Sequence, residues 1–170
     1  MADYLATVRR IIEEHHKIRS DVTQVGESAN DLLAVFSLQR AYSTWSQSSL
    51  EALAQKQANL KETINLMAEG LDGHFGFEEK SLPPIFGEIL MQALRFEHRE
   101  IRQKLAEIKS TITDTKVVGL GQRELLAQRT NIQHVVGNIR QAIEEHANRE
   151  EVILHMLERA LAEGQSGQGQ

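Results

Sequence analysis

Apolar residues recur along this chain at alternating steps of three and four, in four separate stretches. The first series is Tyr4, Val8, Ile11, His15, Ile18, Val22, Val25, Ala29, Leu32 and Phe36, and the second is Leu50, Leu53, Gln57, Leu60, Ile64, Met67, Leu71, His74 and Glu78. The third runs Met91, Leu94, His98, Ile101, Leu105, Ile108 and Ile112, and the fourth Ile132, Val136, Ile139, Ile143, His146, Glu150, Ile153 and Leu157. Such spacing keeps one stripe of each segment on a common face and predicts four amphipathic helices of the bundle type.

Three breaks separate the stripes. "STWSQSS" at 43–49 ends in a capping box, Ser48 with Glu51, which predicts the start of the second helix. "SLPPIFG" at 81–87 ends that helix, because adjacent prolines cannot continue a helix but can begin the next. "GLGQRE" at 119–124 closes the third. Turns this short predict an all-α, up-down-up-down antiparallel four-helix bundle. Gly26 costs about 1 kcal/mol against alanine inside a helix, but the first stripe passes through it without a change of phase, so one continuous helix is expected. Beyond Glu163, "GQSGQGQ" has no apolar side chain to bury. The expected organisation is a bundle over residues 1–163 and a disordered tail over 164–170.

Composition narrows the class further. With 170 residues, one core is expected rather than two. A net charge of −5 without a basic cluster gives no footprint for nucleic acid. No stretch has the length of a transmembrane span or the apolar core of a signal peptide, so a soluble, cytoplasmic protein without a membrane partner is expected. The chain has no cysteine, which excludes disulfides and thiolate sites and leaves any metal to nitrogen and oxygen.

Seven polar residues interrupt the stripes: Gln57, and the six His15, His74, Glu78, His98, His146 and Glu150. Burying an imidazole or a carboxylate without a partner costs several kcal/mol. In an antiparallel hairpin, residues equidistant from the turn lie side by side, so the turns fix the heights of the six. His15 and His74 are centred within "STWSQSS", His98 and His146 on Gln122, and Glu78 and His98 on Glu88 beside the prolines. All six therefore fall at one level. The chain also repeats itself: "EEHHKIR" at 13–19 resembles "FEHREIR" at 96–102, and "HFGFEEKSL" at 74–82 resembles "HANREEVIL" at 146–154. Each half supplies one His and one HisxxxGlu pair, as pseudo-twofold symmetry requires. Four imidazoles and two carboxylates suit iron, manganese, cobalt or zinc better than calcium or magnesium. Two ions fit the symmetry better than one. If both were octahedral and both carboxylates bridged, the protein would fill about eight of twelve positions and leave roughly four for water, oxide or an exogenous ligand.

These motifs resemble the hemerythrin-like, or HHE cation-binding, domains: "EHHKI" around His15, "HFGFEE", "EHREI" and "HANREE", in that order over about residues 4–158. The resemblance implies a non-heme di-iron centre with a bridging water or oxide, in which Glu78 and Glu150 bridge and His15, His74, His98 and His146 are terminal ligands; manganese or zinc is the alternative metal. Oxygen-carrying members have a second His one turn along the third helix, where this chain has Arg102, and an Asp five residues after the fourth-helix His, where this chain has Glu150 four after it. The resemblance therefore points to variants that sense iron or oxygen, or that handle peroxide or nitric oxide.

The remaining histidines, His16, His134 and His155, lie off the stripes and are expected not to be ligands. Glu14, Glu79, Glu97 and Glu151, next to the six, are expected to be solvated or to orient the imidazoles. Three function classes follow: a protein that binds or senses dioxygen, nitric oxide or iron; an enzyme acting on peroxide or nitric oxide; and a structural bundle held by a metal or a buried ion-pair network. The protein partner that a sensor needs is not identified.

Overall fold

The computed structural model describes residues 4–39, 46–115 and 120–166. Four helices hold nearly all of them: α1 Tyr4–Gln39, α2 Gln47–Ser81, α3 Pro83–Asp114 and α4 Gln122–Ser166. No strand occurs among the described residues. Each helix packs on its neighbour in the chain, and α4 closes back on α1. Glu14 meets His74, Ser28 meets Thr63 and Asp31 meets Lys56, so α1 and α2 run antiparallel. The same reversal joins α2 to α3 through Glu79–His98 and Gln57–Thr115, and α1 to α4 through Arg9–Glu158 and Arg19–Asn148. The fold is the expected four-helix bundle.

Local chemistry sets the helix ends. α2 starts two residues earlier than the Ser48–Glu51 pairing predicts: the N-cap is Ser46, whose Oγ accepts from the Ser49 N–H at 3.1 Å. Ser46 also shares hydroxyl hydrogen bonds with Ser48 and Ser49, and Glu51 takes the Gln47 amide at 2.9 Å instead of closing a box. A run of serines offers caps in several registers, and local sequence does not choose among them. Residues 43–45 of that break, and Gly119 of the next, lie outside the described residues. At the start of α4, Glu124 accepts from the Gly121 N–H at 2.7 Å. α4 is helical to Ser166, and residues 167–170 of the expected tail lie outside the described residues.

The proline turn is tighter than a simple stop. Leu82 ends α2 and begins α3: its N–H donates to the Glu78 carbonyl at 2.9 Å, and its own carbonyl accepts from Ile85 and Phe86. Its side chain is fully buried, which pins the corner. Pro83 and Pro84 then occupy the first turn of α3. Gly87 breaks that turn with φ 69° and ψ 173°, a conformation closed to residues bearing a Cβ. Regular helix resumes at 88, aimed so that Met91, Leu94 and His98 face the core. α1 is continuous through Gly26.

The core forms in two parts. The larger runs from Ile18, Leu71, Ile101 and Ile143 toward the first and third turns, and the smaller gathers Val8, Ile11, Leu82, Met91, Leu94 and Leu154 around the proline turn. Along α4 the buried positions are Val135 and Leu154, where the periodicity predicts Val136 and Ile153; these two are only half-buried. A 3.6-residue helix drifts against a strict three-four stripe, and neighbouring positions then compete for the core. The seventh stripe polar, Gln57, donates to the Ile112 and Thr115 carbonyls at 2.7 and 3.1 Å, serving the unpaired end of α3.

Candidate metal centre

Between the two core clusters lie His15, His74, Glu78, His98, His146 and Glu150, the only charged or titratable side chains that are buried among the described residues. Each helix supplies its members through the seam spacing: one His from α1, one His from α3, and a HisxxxGlu pair from α2 and from α4. His74 and His146 lie one turn before their carboxylates on the same helix face. The His15 and His74 rings are 5.0 Å apart, as are those of His98 and His146.

Glu78 stands in the middle. Its Oε1 is 2.7 Å from His74 Nε2 and 3.5 Å from His15 Nε2, and its Oε2 is 3.1 Å from His98 Nε2. Glu150 Oε2 is 3.5 Å from the Nε2 atoms of both His15 and His146. Two sets of potential ligand atoms result, each within a 4.8 Å span: His15, His74 and Glu78, and Glu78, His98 and His146. Glu78 belongs to both.

The outward side of every ring is already engaged. His74 Nδ1 lies 2.9 Å from Glu14, His98 Nδ1 2.8 Å from Glu79, His146 Nδ1 2.9 Å from Glu97, and His15 Nδ1 3.2 Å from Glu151. A carboxylate only accepts, so each Nδ1 carries the proton and donates. The four pairs form a closed ring, in which each helix offers a carboxylate to the imidazole of the next: α1 to α2, α2 to α3, α3 to α4 and α4 to α1. An arginine holds each carboxylate from outside. Arg10 reaches Glu14 at 2.8 Å, Arg149 reaches Glu97 at 3.1 Å, and Arg19 grips Glu151 with two nitrogens at 2.6 and 3.1 Å. Arg102 bonds Asp72 at 2.9 Å and Glu79 more loosely at 3.4 Å. Arg102 thus sits outside the cluster and offers no ligand atom to it.

With Nδ1 protonated, a neutral imidazole turns a lone pair inward from Nε2. All four Nε2 atoms and all four oxygens of Glu78 and Glu150 are buried without a hydrogen-bond partner, despite the short approaches between them. They converge without the alignment of hydrogen bonds. Lone pairs facing carboxylate oxygens repel unless a cation or a proton lies between them. This donor set fits metal ions, and the outer carboxylates supply the orientation that ligating histidines need.

Electrostatics of the protein alone show the same demand. Burial opposes charge on His15, but the Glu150 and Glu78 carboxylates outweigh it and push its pKa up to about 9. Burial also opposes charge on Glu78, and His15, His74 and His98 together hold it well below the carboxylate range. Burial lowers His146 to about 4 and raises Glu150. Glu14, Glu79, Glu97 and Glu151 are all lowered, because their histidine and arginine partners outweigh partial burial.

His16, His134 and His155 are exposed and lie outside the cluster, His134 beside Asn138 and His155 beside Glu158. Phe75 is a participant that periodicity does not flag. It is fully buried, stacked on His98 at 4.0 Å and 16°, with Arg102 above its ring at 5.2 Å. Its position directly after His74 was the available signal. The four arginines are likewise invisible in the stripe, since they act across helices from outside it.

Comparison with known proteins adds one finding. The family model described as "Hemerythrin HHE cation binding domain" matches residues 6–154. No curated protein and no solved structure matches the chain.

Proposed function

This chain belongs to the family of hemerythrin HHE cation-binding domains, and from that premise we propose that it holds two non-heme iron ions and binds a small ligand at them. The ligand is dioxygen, nitric oxide or peroxide. His15 and His74 would hold one ion and His98 and His146 the other, with Glu78 and Glu150 as the carboxylates of the site. The observation that carries this reading is the set of eight inward lone-pair atoms, buried and unpartnered, each imidazole held from behind by a carboxylate. When bound, the ions supply Lewis acidity and electrons at a position that water reaches poorly.

The chain's own groups do the rest. Glu14, Glu79, Glu97 and Glu151 keep the Nδ1 protons outside, so that Nε2 presents its lone pair inward. Phe75 fixes the plane of His98 by stacking on it. The two apolar clusters exclude water above and below. Elemental analysis of protein purified without added metal tests the reading: about two iron per chain with a near-ultraviolet oxo-to-iron band supports it, and a metal-free protein of unchanged thermal stability after iron addition sinks it.

A further inference from the structure

The two halves of the bundle are built from matching segments, and one of the differences between them beside the centre concerns an arginine and a ring. Superposing the halves by His15 on His98 sets Arg10 against Ala93, and superposing His74 on His146 sets Phe77 against Arg149. In the first half the Arg10 guanidinium lies 3.7 Å over the Phe77 ring while also bonding Glu14, and the cleft between α1 and α2, about 370 Å³, is a polar one beside His74, lined by Arg10, Glu14, Lys17 and Asp21. In the second half Arg149 bonds Glu97 in the same way, but Ala93 offers it no ring. The groove between α3 and α4 forms a cleft of about 150 Å³, lined by Phe86, Leu90, Ala93, Leu94 and Ile153, with Glu97 and Arg149 at its side. Glu150 forms part of its wall, and both oxygens of that buried carboxylate lack a hydrogen-bond partner.

We propose that this cleft is a binding site for an uncharged, apolar organic molecule of about benzene's bulk, whose inner end comes against Glu150. An apolar cavity of about 150 Å³ takes a molecule of that size, and a diatomic would leave most of it unfilled. The lining is aliphatic and aromatic apart from the Glu97–Arg149 pair, which is already satisfied, and the inner Glu150 carboxylate, which the reading above commits to the cations, so a charged ligand finds no free counter-charge there. The residues next along both helices, Ile89 on α3 and Val152 and Met156 on α4, are large, apolar and exposed, and continue the surface outward. The ligand class follows: an apolar body lying in the cleft between α3 and α4 with its inner end at Glu150. The cleft belongs to the protein alone; its meaning for the centre rests on the metal reading above.

The test is a titration of the purified protein, with its bound cations, by toluene, followed by ligand-observed nuclear magnetic resonance. Saturable binding of one toluene per chain is expected. Ala93→Phe places a ring where Arg149 can stack on it, as Arg10 does on Phe77, and should weaken toluene binding at least tenfold. Ile153→Trp fills the same space from α4 and serves as the second variant if Ala93→Phe does not fold. Leu126→Phe, at the far end of α4, should bind toluene like the parent. Absence of saturable binding, or equal binding in the parent and in both filled variants, overturns the proposal. Cation content measured on the same samples reports on the metal reading separately: toluene binding that is lost in Ala93→Phe supports the cleft whether or not iron is found.

Discussion

Leu71 and Glu78 lie two turns apart on one stripe of α2, both buried, and the bundle treats them in opposite ways. Around Leu71 the four helices fill the seam with Ile18, Ile64, Ile101 and Ile143, and that cluster has no polar side chain to satisfy. Around Glu78 the same seam positions hold imidazoles and a second carboxylate, whose inward atoms find no partner in the protein. The apolar level is stabilised by burial alone, at about 1.5–3 kcal/mol for each large side chain. The polar level is costly by itself, and its histidines are held rigid from outside by the Glu–Arg ring. The lesson is that stability and function occupy the same stripe, separated only by height along the bundle.

The largest effect that could break this contrast is at Glu78. Glu78→Ala removes the one carboxylate shared by both ligand sets and should lower cation affinity about 100-fold or more, beyond what loss of an orienting partner costs. Metal content and denaturant midpoints measured together decide; a variant that retains its iron refutes the role. Ile64→Ala should do the reverse, costing about 2–5 kcal/mol in chemical denaturation while the folded protein keeps its cations. If it lost cations at native conditions, the two levels would not be independent.

A smaller effect is expected one layer out. Glu97→Gln leaves His146 with a neutral partner and should weaken cation binding by about 10–100-fold, whereas Glu145→Gln, on the exposed side of α4, should not. Competition against a calibrated chelator reads both, and equal affinities would remove the ring from the account.

Proton linkage gives a subtler separation. In the cation-free protein His15, raised from 6.5 to about 9, contributes stability that is complete below pH 6.5 and fades as pH rises toward 9. His146, lowered to about 4, acts in the opposite sense: the unfolded chain takes its proton first, so stability falls as pH drops from 6.5 toward 4. Loading cations requires His15 to give up its proton, so addition of iron(II) near pH 8 should release protons into a weak buffer and abolish the alkaline loss of stability. Thermal melts of loaded and cation-free protein from pH 6 to 9 check this; parallel curves would contradict it. Smallest of all is His155→Ala, which should leave metal content unchanged while His146→Ala loses affinity.

Much of this was legible in the chain itself. Four stripes and short breaks carried the helix count and the antiparallel order, because a 3.6-residue period and a turn leave few alternatives. The level of the six buried polar residues followed from turn positions, and the repeat paired His15 with His98 and Glu78 with Glu150. The cap at Ser46 instead of Ser48, the strained Gly87 and the inward turn of Leu154 were not legible, since each depends on which of several equivalent local choices the packed helices favour.

What the sequence by itself determined is which residues share the core and at what height, because periodicity is a property of one helix and its neighbours in the chain. Only the tertiary structure decided how their atoms face. That each Nδ1 points to a carboxylate on another helix, that Arg10 stacks on Phe77 while Ala93 leaves Arg149 without a ring, and that Phe75 stacks on His98, all depend on rotations between helices. Stripe spacing constrains those rotations only to within a residue's width, and the close contacts of side chains across the seam fix them.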